Sequence, residues 1–514
     1  MKSTGIVYLV GAGPGDVGLL TLRGAELLQR ADVIVYDALV NRDLLNLARK
    51  DAEIIYAGKR SRDHTIPQLE LNQLLVGKAR EGKIVVRLKG GDPYIFGRGG
   101  EEALELADAK IPFEVVPGIS SITAAPNYAG VPLTHRDHAS KLTVVTGHED
   151  PTKPESNIDW ASVAKTDGTK VIVMGTDQIP AIAKKLVAAG MSADTPIAMV
   201  SWGTTGHQQS ISGTLGTIEK VAAKAKIHPP TTVIIGEVVK LRDKLNWFEK
   251  RSLFGQRIVV TRSRQQASQL TKLLLERSAE VLEIPTIKFA EPTEKQDLAD
   301  ALLELNSYDW LVFTSANGVT AFFDYFFKAF DDLRDLGGAR IAAVGPGTAA
   351  KLREFHLKID LMPDEATASK VAEAFQKFQT IENLKVLLMR AEVANRELPQ
   401  KLSELGAIVD DVACYKTLPE TEDRTGAVAK LTETGADWIV FASSSSVENF
   451  HARLNLPGLQ KKFPKIKFAS IGPETSKAIK ALGLKPTVEA KGHTIEGLVA
   501  ALEKNSGGRS SKTP

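Results

Sequence analysis

The chain has 514 residues, 43% of them hydrophobic and 25% charged; this composition supplies sizeable cores, excludes a mainly disordered protein and predicts roughly three domains of about 150 residues each. Lys and Arg number 65 against 62 Asp and Glu, and residues 1–250 hold 30 basic and 28 acidic side chains, so neither half is a nucleic-acid lobe and an anionic ligand must meet a local cluster. Cys414 is the only cysteine, which excludes an intrachain disulfide and a multi-thiolate metal site; with no apolar signal core and no apolar run of membrane length, the expected setting is cytoplasmic, without membrane or nucleic-acid partners.

The first predicted strand is Ile6-Val7-Tyr8-Leu9-Val10, followed by glycines, a helical pattern from Leu19 to Leu28 and a second apolar strand, Val33-Ile34-Val35-Tyr36. The intervening Gly11-Ala12-Gly13-Pro14-Gly15-Asp16 fails the dinucleotide-binding fingerprint. Its third glycine would fall at Asp16, whose charge repels a pyrophosphate, and Pro14 lacks an amide donor. These glycines are expected to turn the backbone tightly beside a ligand that is not a phosphate. Farther on, the strand beginning near Lys83 runs out at Gly90-Gly91, with Asp92 next. Open α/β sheets place their sites at such carboxyl ends. An acid and bare carbonyls there suit ribose hydroxyls or a cationic sulfonium.

A charged stretch, Lys240-Leu241-Arg242-Asp243-Lys244 and then Asn246 to Arg251, closes this region and predicts a boundary near residue 251. A second opening follows, with the strand Arg257-Ile258-Val259-Val260-Thr261 and a helix through Leu270, Leu273 and Leu274. Strands alternating with helices throughout predict an α/β architecture with mostly parallel sheets. The second half also repeats itself. Val312-Phe313-Thr314-Ser315-Ala316 recurs as Val440-Phe441-Ala442-Ser443-Ser444 at an offset of 128, and Arg262 matches Arg390 at the same offset. Val344-Gly345-Pro346-Gly347-Thr348 recurs as Ile471-Gly472-Pro473-Glu474-Thr475 at 127. Two copies of one α/β unit with a ligand cleft between them are therefore expected. The tail from Asn505 to Pro514 offers nothing to a core and is expected to be disordered.

The two glycine motifs are joined in order by Tyr36-Asp37, Gly58-Lys59-Arg60, Val116-Pro117-Gly118-Ile119-Ser120-Ser121, Pro132-Leu133-Thr134-His135-Arg136 and Pro229-Pro230. On these motifs residues 4–248 closely resemble uroporphyrinogen-III C-methyltransferase, of the tetrapyrrole methylase fold. Residues 252–503 resemble uroporphyrinogen-III synthase more loosely, through Phe313-Thr314-Ser315-Ala316-Asn317, Val344-Gly345-Pro346, Tyr415 and Ile471-Gly472-Pro473. The resemblance implies a bifunctional fusion. Residues 1–250 would be a methylase of two α/β subdomains, 251–504 a duplicated two-subdomain α/β synthase, and 505–514 a disordered tail. In the synthase, two extended crossings would join the units, and the first strand and helix would pack on the last quarter of the chain.

The same resemblance implies an S-adenosylmethionine site between the methylase subdomains. Pro14, Gly90, Gly91, Asp92, Ile95, Ser120, Ser121, Met174 and Gly203 occupy the family's cofactor-binding positions. Asp37 and Lys59 fall at its proton-acceptor and proton-donor positions. Methylating a pyrrole carbon builds positive charge on the macrocycle, and a proton must then leave. The substrate carries acetate and propionate chains, so basic side chains are expected along its path. Lys59, Arg60, Arg62, Arg87, Lys89, Arg98 and Arg136 are available, with Arg60 and Arg136 favoured. Three departures alter local contacts. Val173 stands where a tyrosine is usual, Ser121 where alanine is common, and Gly203-Thr204-Thr205-Gly206-His207-Gln208-Gln209 lacks the proline and two arginines of the usual run.

For the synthase half the resemblance implies a reaction without metal or cofactor. Linear hydroxymethylbilane loses its terminal hydroxyl as water and closes with inversion of the last ring. Tyr415 would donate to that hydroxyl, and Ser443 and Thr475 would bind carboxylates, although turn chemistry accounts equally well for the serine run 443–446. Cys414 would be a bystander. The expected whole is a homodimer, associated through its methylase half, that acts on small-molecule tetrapyrroles. It would make uroporphyrinogen III and then precorrin-2, for cobalamin or sirohaem. The alternatives are a methylase for a later corrin precursor and, in the second half, a tetrapyrrole-binding module.

Overall fold

Short apolar strands alternate with amphipathic helices to give four five-stranded sheets among the described residues, 4–58, 67–147, 158–261 and 264–506, of a computed structural model of the chain. The first sheet holds β1 (Ile6–Gly11), β2 (Val33–Tyr36), β3 (Glu53–Tyr56), β4 (Ile84–Lys89) and β5 (Phe113–Val116) in the order β3-β2-β4-β1-β5, all parallel. Successive side chains point to opposite faces. Tyr8, Val10, Ile34 and Val86 therefore enter one core, and Val7, Leu9, Val35 and Val85 another. A parallel sheet covered on both faces reads as a continuous apolar run, which is the pattern of β1 and β2. Because β1 and β4 are neighbours, the glycine loops that follow them lie side by side at the sheet's carboxyl edge.

The second sheet holds β6 (Leu142–Thr146), β7 (Thr169–Val173), β8 (Pro196–Ser201), β9 (Gln209–Thr214) and β10 (Thr231–Ile235) in the order β6-β7-β10-β8-β9. Only β6 and β7 are parallel here; β10 runs against both its neighbours and β8 against β9. The short loop 202–208 joins β8 to β9, and a parallel pair would need a longer crossover.

The remaining strands are β11 (Arg257–Val260), β12 (Glu280–Glu283), β13 (Ile287–Ala290), β14 (Trp310–Phe313), β15 (Arg340–Ala343), β16 (Lys385–Ala391), β17 (Ile408–Pro419), β18 (Trp438–Phe441), β19 (Lys467–Ser470) and β20 (Pro486–Glu489). They form sheets of order β12-β11-β18-β19-β20 and β13-β17-β16-β14-β15. The repeat is visible strand by strand: β11 corresponds to β16, β12 to β17, β14 to β18 and β15 to β19. One copy is not one unit, however. Each sheet takes the first two strands of one copy and the later strands of the other, and β11 pairs directly with β18. The exchange follows from what comes after β12. Pro285 cannot donate to a ladder, and the chain runs on extended into β13, which pairs antiparallel with the far end of the long β17.

Two compact units result, Met1–Ile284 with Glu422–Pro514, and Pro285–Thr421. The expected boundary near 251 falls inside the first, where Phe248 packs on Tyr128 and Phe254, and Leu253 is fully buried in the core of the third sheet. Two residues of the expected tail belong to the fold. Asn505 ends the helix Ile495–Asn505, and Ser506 is buried at its cap. Residues 507–514 lie outside the described residues. No helix among the described residues is long and apolar enough to cross a membrane.

In the second unit Trp310 has no exposed surface and meets Phe375 and Phe378 edge-on at 4.9 and 5.5 Å. Trp310→Ala is expected to cost about 3–5 kcal/mol, measured as a lower urea midpoint by circular dichroism.

Candidate functional site

Three loops meet at the carboxyl edge of the first sheet because glycine lets backbone touch backbone. Gly13 and Gly91 exchange hydrogen bonds, N–H to O, at 3.2 and 2.8 Å. A Cβ on Gly11 would lie 2.5 Å from the Gly118 Cα, and one on Gly118 would lie 2.2 Å from the Gly91 oxygen. Gly13 and Gly91 have φ of +76° and +69°, which side-chain-bearing residues rarely adopt. Asp92 ties the loops together: its Oδ1 accepts from the Tyr94 amide at 2.8 Å and its Oδ2 from the Gly118 amide at 2.9 Å.

Asp16, the acid that breaks the dinucleotide fingerprint, joins this edge to the second sheet. Its amide donates to Thr204 Oγ1 at 3.0 Å, and its carboxylate accepts from the Gly18 amide and, at 2.7 Å, from the Tyr128 hydroxyl. Burial, with the carboxylate beside it, pushes the Tyr128 phenol well above its ordinary value.

Between the two sheets lies a cavity of about 1460 Å³. Pro14, Gly90, Gly91, Asp92, Ile95, Ser120, Ser121, Met174 and Gly203 all line it. They arrive from the ends of β1, β4, β7 and β8 and from the N-terminus of the helix Ser121–Tyr128, where Ser120 caps the Ile122 amide. Asp37, at the end of β2, stands just behind this lining. Its Oδ2 accepts from the Gly90 amide at 3.1 Å and its Oδ1 from the Leu39 amide at 3.0 Å, with the Arg87 guanidinium 4.0 Å away. Lys59, Arg60 and Arg62 lie outside the described residues. Arg136 is exposed on the turn closed by His135 and Ala139, away from the lining.

Arg87 and Lys89 are not available to a substrate. They project from β4 into the interior, 4% and 3% exposed. Both bind Glu102 Oε1, at 3.1 and 2.9 Å, from the helix Gly99–Asp108. Burial pushes the Lys89 ammonium down. A cation inside a parallel strand covered on both faces needs an internal acid, and that was the signal for this pairing. Arg98 is occupied too, at 2.6 Å from Glu101.

In the second unit, Tyr415 on β17 is buried, with its ring edge-on to Phe289. Its hydroxyl lies 3.1 Å from Ser315 Oγ, which also accepts from the Gly318 amide and caps the helix Ala316–Ala329. Tyr415 and the 313–317 motif thus form one group. Cys414 beside it is fully buried, and burial pushes its thiol up to about 12.

Ser443 and Thr475 belong to the first unit, after β18 and β19. Ser443 and Ser446 make a reciprocal cap at the start of the helix Ser444–Leu454, which is the turn-chemistry reading of the serine run. Thr475 is only 3% exposed, in the first turn of the helix Pro473–Ala481, so little of it is presented to a ligand.

Two family models match the chain: Tetrapyrrole (Corrin/Porphyrin) Methylases over residues 6–219 and Uroporphyrinogen-III synthase HemD over residues 268–500. Over almost its whole length the chain is similar to the porphyrin biosynthesis protein HemD of Ruminiclostridium josui, 37% identical over 504 residues that cover 98% of this chain and 99% of that one. The chain belongs to this HemD family of porphyrin biosynthesis proteins. It is a tetrapyrrole methylase fused to a uroporphyrinogen-III synthase. The methylase half is also 52% identical to the siroheme synthase of Ectopseudomonas mendocina over 248 residues, 48% of this chain and 53% of that protein, so the chain spans about half the length of such relatives. Among solved structures, uroporphyrin-III C-methyltransferase from Thermus thermophilus is similar at 39% identity over 46% of this HemD-family chain and all of that one, with a TM-score of 0.40. A mutant uroporphyrinogen III synthase from the same organism is similar at 18% identity over 48% and 98%, with a TM-score of 0.35.

Two expectations follow from the electrostatics. Glu102→Ala leaves two buried cations without their counter-charge and is expected to cost about 3–5 kcal/mol, read from urea denaturation. Asp43 also lines the cavity. Burial first, and then Glu283, push its carboxyl from 3.8 up to about 6, against the pull of Lys430. Its ionisation therefore opposes folding, and the stability it leaves declines between about pH 4 and pH 6. Asp43→Asn is expected to stabilise by about 1–3 kcal/mol at pH 8 and by almost nothing at pH 4, measured as the shift in melting temperature at the two pH values.

Proposed function

We propose that the methylase half transfers two methyl groups from S-adenosylmethionine to uroporphyrinogen III, giving precorrin-2. The synthase half makes that substrate, closing hydroxymethylbilane with loss of water and inversion of the last ring. The halves divide near residue 251. The protein works in the cytoplasm as a homodimer through its methylase half and feeds sirohaem or cobalamin formation. The observation that carries this reading is the convergence of nine expected cofactor positions on one cavity between the two methylase sheets.

The residues there fit the cofactor. A Cβ on Gly91 would meet nothing closer than the Ser120 Cα at 3.9 Å, which leaves bare backbone facing the cavity, and each Asp92 oxygen keeps a lone pair after its amide bond. When bound, S-adenosylmethionine supplies an electrophilic methyl group. Asp37 is held by two backbone amides at a fixed place beside the cavity, suited to take the proton that must leave the positively charged macrocycle once a ring carbon has been methylated. Holding acceptor and macrocycle in place converts a bimolecular step into a unimolecular one, an effect that can supply about 7–11 kcal/mol. In the synthase half, Ser315 already accepts from Gly318 and has its own proton to give to the Tyr415 oxygen. In that arrangement the phenolic proton is free to assist departure of the bilane hydroxyl.

Incubating the purified chain with hydroxymethylbilane tests both halves. Two added methyl masses are expected only when S-adenosylmethionine is present, on the inverted ring isomer. No cofactor-dependent gain overturns the methylase assignment, and gain only on a later corrin precursor replaces it with that activity. Bilane bound but not cyclised, or only the uninverted isomer, makes the second half a binding module. Asp37→Asn is expected to slow methylation about 100-fold while cyclisation continues, and Tyr415→Phe to slow cyclisation about 10- to 100-fold while supplied uroporphyrinogen III is still methylated.

A further inference from the structure

The loop 202–208 faces two ways. Toward the methylase, Gly203, Thr204, Thr205, Gly206 and His207 line the cavity, and Thr204 holds the Asp16 amide. Toward the synthase, the same loop lies on the edge strand β12. A Cβ on Gly206 would fall 2.2 Å from the Glu280 nitrogen and 2.4 Å from the Ala279 carbonyl carbon, and the Gly206 oxygen accepts from the Gly255 amide at 3.1 Å. His207 packs on Trp202, with ring centres 5.0 Å apart, and its Nδ1 lies 3.5 Å from Glu280 Oε1.

Glu280 is itself firmly held. Arg257 Nε binds its Oε2 at 3.0 Å and Lys430 Nζ lies 2.5 Å from its Oε1, with the side chain 11% exposed. Burial pushes its carboxyl up, but Lys430, His207 and Arg257 together more than offset this and keep it below the ordinary value. Burial, set against the pull of Glu280, lowers the His207 imidazole to about 4. A neutral imidazole therefore faces an ionised, doubly paired carboxylate. Ala279, Glu280, Val281, Leu282 and Lys430 of the synthase half line the cavity as well.

These contacts also bear on two of the departures in the loop, the proline usual at 206 and the arginine usual at 207. A proline at 206 would drive its Cβ into the Glu280 backbone, and an arginine at 207 would add a third cation beside Arg257 and Lys430.

We propose that the synthase half is part of the methylase's cofactor site: Ala279-Glu280 on the edge of β12 clamps the 202–208 loop through Gly206 and His207 and so sets cofactor affinity. Glu280 is a positioning residue that acts through His207. The proposal rests on the reading above that this cavity holds S-adenosylmethionine, and it makes affinity in one enzyme depend on a strand of the other.

The test titrates S-adenosylhomocysteine into the full chain by calorimetry and follows deuterium exchange of the 203–209 peptide. Glu280→Ala is expected to weaken binding tenfold or more and to speed exchange in that peptide, whereas Glu280→Gln, which keeps the length of the side chain and its contact with His207, stays within threefold of the parent. Gly206→Ala, made from the methylase side, is expected to weaken binding to a similar degree. Unchanged affinity and exchange in Glu280→Ala overturn the proposal while the cofactor reading stands. If that variant does not fold, retained affinity in Gly206→Ala overturns it instead. A parent chain that binds no S-adenosylhomocysteine overturns the cofactor reading itself, and this proposal with it.

Discussion

The approach of backbone to backbone at Gly11, Gly13, Gly91 and Gly118 is the constraint on which the methylase half depends. Loops that end three different strands are brought within hydrogen-bonding or van der Waals distance there, with no room for a Cβ on Gly11 or Gly118 and a positive φ at Gly13 and Gly91. The amide of Gly118 and the carboxylate of Asp92 fasten the arrangement, and Asp37 is set against it through Gly90. The cavity inherits its floor from this junction. Because it is made of main chain, it presents carbonyls and amides in fixed directions and costs no side-chain entropy to hold.

Charge is partitioned with similar economy. A chain with a formal net charge of only +3 cannot draw a polyanion by its overall field. Two of the cations nearest the end of β4 are spent internally, on Glu102. The pairing gives both cations one internal counter-charge, and Arg87 also reaches Asp37, at 4.0 Å. At the junction of the halves, Glu280 gathers Arg257, Lys430 and His207. A buried carboxylate with several donors is costly to strip of any one of them, so the loop it holds is fixed where it lies.

The duplicated half shows how an internal repeat differs from a domain. Each copy contributes two strands to one sheet and its later strands to the other, so neither copy can complete a core without its sibling. Long-range pairings such as β11 with β18, about 180 residues apart, close the first unit only after the second unit's chain has been laid down. The order of synthesis and the order of assembly therefore differ, and non-local contacts of this kind are slow to form.

Sequence alone determined the elements that depend on local chemistry. The strand-glycine-helix openings, the offset of the repeat and the absence of a phosphate-binding fingerprint follow from residue types along the chain, whereas the nine expected cofactor positions were implied by the family resemblance of the motifs. The grouping of Tyr415 with the 313–317 motif, and of Asp16 with Thr204 and Tyr128, came only with the tertiary structure, since these partners are roughly a hundred or more residues apart. Arg87 and Lys89 counted among the cations available to a substrate because their partner, Glu102 on the following helix, is brought to them only by packing. The serine run could be read equally as a carboxylate site or as turn chemistry, and Ser443 and Ser446 do cap a helix. The exchange of strands between the repeats was equally hidden. Periodicity records which face of a strand is apolar, whereas which sheet that strand joins is decided by where Pro285 and the extended chain beyond it can find partners.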